Sequence, residues 1–241
     1  MHIERFEIEE RFRGPPKSGN GGYTCGRMAR HLQGTVAVRL KSPPPLDTEL
    51  RLESTDQEAR LFDGAKLIGE AKRTHLDLYA PPSPAYEEAE EAAKSFVGFN
   101  SHTFPACFVC GPERRADDGL CIFPGALYNT SIIAAPWTPD VSLTDELGNV
   151  QPEFLWSALD CTGAFVHYPL PDGVAVVLGE LAATILGSVK AGDRCVVLGW
   201  PLGVEGRKRL AGTAIYAPNQ RLLALARAVW IEVPLSTWSA A

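Results

Sequence analysis

Residues 152–167 read PEFLWSALDCTGAFVH. Apolar side chains at Phe154, Leu155, Trp156, Ala158, Leu159, Ala164, Phe165 and Val166 leave hardly a polar residue on any side of a helix drawn through them. A helix that is apolar all round is a buried one, so this stretch needs a wrapping. Pro152 suits the first turn, where the N–H it lacks would have no partner in any case. The strands that follow supply the wrapping as an antiparallel sheet. One residue is out of place in this run: Asp160, a lone acid.

Working outward, the strands after this helix have counterparts much earlier in the chain. NQRLLALARAVWIEV (219–233) aligns without gaps on GAKLIGEAKRTHLDL (64–78) at an offset of 155, setting Ala226 on Ala71 and Arg227 on Lys72. The earlier stretch alternates apolar and polar residues as a half-buried strand should, and each follows a turn signal, PN at 218–219 and DG at 63–64. AATILGSVKAGDRCVVLG (182–199) lies over AVRLKSPPPLDTELRLE (37–53) at an offset of 145, both being strand, small-residue turn, strand. Before these come two helices, the second at 152–167 and the first opening within PPKSGNGGYTCGRMAR (15–30). Setting Gly22 on Glu153 makes the offset 131, so the second copy has longer loops. Self-similarity of this kind marks a repeat architecture. Residues 1–80 are expected to form the first repeat and 126–241 the second.

The stretch between, 81–125, belongs to neither copy. It opens on a proline-rich break with an acidic run, APPSPAYEEAEEAAKSF, expected to be a short solvated helix, and continues into NSHTFPACFVCGPERRADDGLCIFPG. We read it as a connector that crosses between the halves.

Composition narrows the function classes. Of 241 residues, 45% are hydrophobic and 22% charged, enough to build an apolar core without disulfides or metal. MHIERFEIEE at the N-terminus mixes charge with apolar residues, unlike a signal peptide, and no apolar run is long enough to span a bilayer. A cytoplasmic location and no membrane partner are therefore expected, with the six cysteines as free thiols. A net charge of −6 argues against general nucleic-acid binding.

One long helix wrapped by an antiparallel sheet, present twice in tandem, resembles the hotdog fold in its double form. The expected class is thus α+β, with two long helices and one continuous sheet across both repeats. Within that superfamily the chain resembles the acyl-CoA thioesterases of the phenylacetyl-CoA thioesterase type. Their motif is a helix-opening Gly-Gly followed seven residues later by Asp, and the glycines of one copy meet the acid of the other across the dimer interface. Here each copy keeps a different half of the motif. Gly21 and Gly22 open the first helix, but Ala29 stands where the acid belongs; in the second, Pro152 and Glu153 replace the glycines and Asp160 is the acid. If the copies pair as the family's subunits do, one composite site is complete and its symmetry mate is dead.

The chemistry of such a site follows from its parts. A helix N-terminus carries unpaired N–H groups and partial positive charge, which suit an oxygen that becomes negative during attack on a carbonyl. The glycine pair is expected to leave the N–H of Gly22 or Tyr23 bare for that role. Asp160 would activate a water or attack the thioester carbon itself, with its apolar surroundings raising its pKa. Asn20, where many relatives carry histidine, would orient the water. Plainer readings stand beside these: a glycine pair before a helix is most often a flexible cap, and a buried Asp can simply bond a neighbouring strand's backbone.

The resemblance implies an acyl-CoA substrate with a small or medium acyl group, and no separate cofactor. Coenzyme A phosphates need cations, and the candidates are Arg27, Arg30, Lys72, Arg73 and Arg227, all equally readable as solvated surface charges. GRKRL (206–210) is a denser basic patch that can also serve only to keep an edge soluble. Tyr23, Trp156 and Phe165 either line an acyl tunnel or fill the core. His102, Cys107, Cys110 and Cys121 have one CxxC spacing suited to zinc, but structural zinc usually shows two tight pairs, so buried thiols and no metal are expected. A redox CxxC is disfavoured because Gly111 and Pro112 lead into a turn rather than a helix.

Thioester hydrolysis is the first functional expectation, and a non-catalytic acyl or acyl-CoA binder is the alternative. A hydratase of the same fold is disfavoured, since His31 and His167 lie only at the far ends of the helices. Two fused copies already make a pseudo-dimer, so either a monomer or a homodimer of such units is expected.

Overall fold

The computed structural model describes residues 1–239. Its strands are β1 (His2–Phe6), β2 (Val36–Leu40), β3 (Leu50–Ser54), β4 (Glu58–Asp63), β5 (Lys66–Arg73), β6 (Gly125–Ala126), β7 (Ile133–Trp137), β8 (Val174–Ile185), β9 (Cys195–Glu205), β10 (Lys208–Tyr216) and β11 (Leu222–Pro234). All 11 join one sheet in the order β1-β3-β4-β5-β2-β8-β11-β10-β9-β7-β6. The helices are α1 (Gly21–Ala29), α2 (Tyr86–Ala93), α3 (Pro152–Ala158), α4 (Cys161–Phe165) and the short α5 (Ser236–Ser239).

Read outward from its centre, the sheet has the same order on both sides. β2 is followed by β5, β4, β3 and β1; β8 is followed by β11, β10, β9 and β7. The register reproduces the sequence offsets residue by residue. An offset of 145 carries Val38 to Ala183 and one of 155 carries Ala71 to Ala226. In the sheet Val38 pairs with Ala71, and Ala183 with Ala226. At the seam Ala37 pairs with Ala182, its own counterpart at the 145 offset, so a local two-fold axis runs through that pair. This is a tandem hotdog arrangement in one continuous antiparallel sheet.

α1, α3 and α4 pack on one face of that sheet, α1 against α3, while α2 lies on the opposite face. Met28 of α1 sits on Gly69 of β5, and Thr162 and Val166 of the second helical stretch sit on Gly199 of β9. Close packing between α1 and α3 is set by glycines four apart. A Cβ at Gly22 would fall 2.6 Å from the Trp156 carbonyl oxygen, and one at Gly26 would fall 2.5 Å from the Glu153 Cα. Side chains there would push the helices apart.

Two expectations are corrected. The second helix is not one long rod over 152–167 but α3 and α4, broken at Asp160, whose φ of −79° and ψ of −84° lie outside the helical region. Neither glycine nor proline makes the break. The Leu159 carbonyl there accepts a hydrogen bond of 2.8 Å from the Thr213 hydroxyl of β10, a side chain inserted where the helical ladder would run. The acidic helix of the connector is also not simply solvated. Ala89 and Ala92 of α2 are buried. Ala89 belongs to a second apolar cluster, on the β7–β9–β10 strands, with Val196, Leu198, Trp200 and Tyr216.

Candidate functional site

The site begins at the start of α1. Asn20 caps the helix by accepting the Tyr23 N–H on Oδ1 at 2.9 Å, which leaves its amide nitrogen free to point elsewhere. The loop before it is pinned by backbone bonds from Asn20 N–H to the Phe12 carbonyl and from Gly19 N–H to the Pro44 carbonyl. The amide nitrogen donates to Asp160 Oδ2 at 2.8 Å, and the Gly22 N–H donates to the same oxygen at 3.0 Å. A carboxylate from the later half thus meets the helix start of the earlier half. The break at Asp160 delivers it, and Gly22 admits it, since a Cβ there would fall 2.6 Å from the Asp160 Cβ.

Asp160 is 1% exposed, and its second oxygen, Oδ1, has no hydrogen-bond partner. Burial pushes its pKa up from 3.8 to about 7; the Gly22 amide and the Asn20 side chain pull down against that, and the charge of Cys107 adds to the rise. An unpartnered oxygen on a buried acid is costly to keep.

Beside it lies a cavity of about 230 Å³. Asn20, Gly21, Asp160 and Cys161 line one part of its wall; Leu40 to Pro44, Val176 to Gly179, Phe165, Tyr168, Trp230 and Trp238 line much of the rest. The wall is mainly apolar, and among the described residues its one lysine or arginine is Lys41, which pairs with Glu70 at 3.1 Å. The Gly21 N–H, at the first position of α1, has no acceptor among the described residues.

The expected residues divide sharply. Asn20, Gly21, Gly22 and Asp160 come together; Asn20, Gly21, Asp160 and Phe165 line the cavity. Tyr23 does not line it: its ring stacks on Phe12 at 4.3 Å, and its N–H is not bare but spent on Asn20. The Gly22 N–H is likewise not bare but held by Asp160. None of Arg27, Arg30, Lys72, Arg73, Arg227 or Trp156 lines the cavity. Arg27 packs over the Phe6 ring at 4.1 Å and pairs with Glu4 at 3.0 Å, so it is a half-buried structural cation rather than an exposed one. Arg30 lies 3.5 Å from Glu4 and 3.4 Å from Glu153. Lys72 and Arg73 are exposed on β5; Arg227 is exposed on β11, 4.0 Å from Glu180. Trp156 is buried where α3 crosses Gly26.

The cysteine segment is nearer the site than its sequence position suggested. Cys107 and Cys110 lie with Cys161, the neighbour of Asp160, all three sulfurs within 4.8 Å of one another. Cys121 is elsewhere, its sulfur 3.6 Å from the Arg114 carbonyl oxygen. Hydrogen bonds from the sulfurs of Cys110 and Cys161 hold Cys107 well below the ordinary thiol range, while burial pushes Cys110 up. Sequence reasoning missed Lys41, Trp230 and Cys161; only the adjacency of Cys161 to the lone acid was a usable signal.

No family model and no curated protein matches the sequence. Solved structures do match in shape. A hotdog-fold protein from Alicyclobacillus acidocaldarius aligns with 96% of this chain and 93% of its own length at 10% identity and a TM-score of 0.62. The chain is a double hotdog. A candidate thioesterase from Novosphingobium aromaticivorans matches 95% of this double hotdog and 94% of itself, at 12% identity and a TM-score of 0.61. The TesB protein of Mycobacterium avium subsp. paratuberculosis matches 90% of it and 88% of itself, at 12% identity and a TM-score of 0.58. Likeness at such identity is a likeness of fold.

Proposed function

We propose that this double hotdog hydrolyses a thioester at the junction of Asp160 with the start of α1. The observation that carries the reading is Asp160, a residue of the wall of an apolar cavity whose buried Oδ1 has no partner. Its other oxygen is fixed by Gly22 and Asn20, so the carboxylate is oriented and one oxygen is left for a water. A pKa near 7 suits a general base at neutral pH, which favours base over nucleophile. Asp160 takes the proton of the water as its oxygen attacks the thioester carbon. The carbonyl oxygen, becoming negative, is met by the Gly21 N–H, the donor at the helix start that nothing else uses. Collapse of the tetrahedral species expels the thiolate.

The substrate class rests on the resemblance and on a fold neighbour described as a candidate thioesterase. A cavity of about 230 Å³ falls below the range of roughly 300–1,000 Å³ for drug-sized ligands, so it suits a small or medium acyl group. The rest of an acyl-CoA would lie outside it. The test is hydrolysis of acyl-CoA substrates of increasing chain length by wild type and Asp160→Asn. Equal rates remove Asp160 from the mechanism.

One observation favours a second reading, a non-catalytic acyl binder. Two of the N–H groups at the helix start are already satisfied inside the protein, by Asp160 and Asn20. That reading predicts a rise in melting temperature with acyl-CoA and no turnover of any thioester in the panel.

A further inference from the structure

The three cysteines at the cavity wall have a geometry that the hydrolytic reading does not use. Cys107 and Cys161 sulfurs are 3.7 Å apart, and Cys110 completes a triangle with no side longer than 4.8 Å. A tetrahedral zinc with Zn–S bonds of about 2.3 Å needs sulfurs about 3.8 Å apart, so a small inward movement of one thiol makes three corners of a tetrahedron. All three sulfurs are buried, and they come from two separate parts of the chain, the CFVC turn and the first residue of α4.

The turn that carries two of them is built rather than loose. Gly111 N–H donates to the Cys107 carbonyl at 2.9 Å. A Cβ at Gly111 would fall 2.5 Å from the Pro105 carbonyl oxygen and 2.6 Å from the Cys107 nitrogen, so the loop closes on itself too tightly for any side chain. Phe108 N–H bonds the Arg13 carbonyl, Leu120 N–H bonds the Phe108 carbonyl, and Ile122 N–H bonds the Val109 carbonyl. Arg114 ties the far side, donating to the Ala106 carbonyl at 2.8 Å and pairing with Asp118 at 2.5 Å. Ligands held in place before binding lose little entropy when a cation arrives.

We propose that Cys107, Cys110 and Cys161 bind one thiophilic divalent cation, zinc by the softness of the donors, with the fourth position supplied from the cavity. Binding exchanges the protons still on the three thiols for the cation and releases them to solvent. All three cysteines line the cavity, so the fourth ligand is a water or a small donor entering there, the arrangement of zinc sites that keep an open position. Thiolate donors select zinc over magnesium, calcium or manganese. A second group, His2, Glu4 and His31, also lies within 4.8 Å, but its carboxylate is shared with Arg27 and Arg30, which compete with a cation for it.

The experiment is metal analysis of tag-free full-length protein after incubation with zinc and gel filtration, with cobalt substitution alongside. About one equivalent of zinc per chain is expected, and the cobalt form should show thiolate-to-cobalt charge-transfer bands with the visible bands of a tetrahedral ion. Cys161→Ser and Cys110→Ser should lose the metal, while Cys121→Ser and His31→Ala keep it. Wild type holding less than about a tenth of an equivalent overturns the site, as does a cobalt form without thiolate bands. Full zinc in a folded Cys161→Ser, or its loss in His31→Ala alone, overturns it too. The wild-type cobalt spectrum decides even if a serine variant does not fold. None of these readings involves substrate, so failure here leaves the hydrolytic proposal standing, and failure of that proposal leaves this one.

Discussion

The molecule has two helix starts at related positions, and they have been put to opposite uses. At the first, Asn20 caps the helix, Gly21 and Gly22 follow, and the residue facing them from the other half is Asp160, beside a cavity. At the second, Pro152 and Glu153 stand where the glycines would, and Ala29 occupies the place of the acid. Glu153 is 4% exposed and reaches Arg30, which also approaches Glu4, so charges from the first half close over the second start. The α1–α3 packing is similar at both ends, through Gly22 at one and Gly26 at the other. Packing therefore does not decide which end places its buried carboxylate at the cavity; side-chain choice at a few positions does.

The largest effect expected from breaking this asymmetry is on activity. Asp160→Asn keeps an oxygen to accept from Gly22 and Asn20 but removes the base. Catalysis by a positioned base is worth about 10²–10⁴-fold, and kcat/KM for the best acyl-CoA substrate should fall by that factor with the protein still folded. Glu153→Gln, at the other start, should leave kcat/KM within about twofold, since it touches no wall of the cavity. Comparable losses in both variants would mean that the two ends are not functionally distinct.

The next effect is on pH dependence, measured on metal-free protein so that no cation beside Cys161 contributes charge. Asp160 has a folded-state pKa of about 7 against 3.8 for the free side chain, so the folded protein prefers it protonated. Its contribution to stability is fully present below pH 3.8 and is lost as pH rises toward 7 and through it, a difference of roughly 4 kcal/mol for a shift of this size. Activity runs the other way, rising through about pH 7 to a plateau as the base is freed. Asp160→Asn should remove that loss of stability, and its melting temperature should exceed that of wild type above neutral pH. An Asn variant with the same pH dependence of melting as wild type would place the ordinary pKa back on Asp160.

How much of this was legible beforehand depends on whether the cause was local. The strand order and both offsets were readable because apolar alternation and turn residues are written along the chain, and the sheet pairs Val38 with Ala71 and Ala183 with Ala226 as those offsets require. The meeting of Asp160 with Gly22 was readable from complementary losses at two positions. What Gly22 is for was not. Its N–H is held by Asp160 instead of facing a ligand, and its missing side chain makes room for the Trp156 carbonyl and Ser157 rather than for substrate. The helix break was illegible for a similar reason: it comes from Thr213, 54 residues from the carbonyl it bonds. The same separation divides Cys107 from Cys161. Contacts across such distances leave no period or spacing to read.

A smaller effect sharpens what the glycines do. Gly22→Ala and Gly26→Ala both place a methyl within about 2.6 Å of backbone on α3, and overpacking of this kind costs about 1–3 kcal/mol. Each should lower the melting temperature, by roughly 2–4 °C per kcal/mol for a chain of this size. Activity separates them. Gly22→Ala also forces the Asp160 Cβ away and should lose activity beyond its loss of stability, whereas Gly26→Ala abuts Glu153 and Trp156 and should retain most of it. Equal activity in two equally stable variants would mean that the position of the carboxylate is not set by Gly22.

The smallest effect concerns the closed start. Glu153 Oε2 is buried without a partner, and its Oε1 makes one long contact of 3.4 Å with Arg30, whose side chain is 37% exposed. Water screens that ion pair, so its worth is at most about 1 kcal/mol, while the buried carboxylate still bears a desolvation cost. Glu153→Gln removes the charge and keeps the shape, and Arg30 retains Glu4 at 3.5 Å. The variant should therefore melt at the same temperature as wild type or up to a few degrees higher, by up to about 1 kcal/mol of added stability. A clear drop in melting temperature would show that the Glu153 charge holds the closed end together. The two starts would then differ by an active seal on one side, and not merely by the absence of an acid at Ala29.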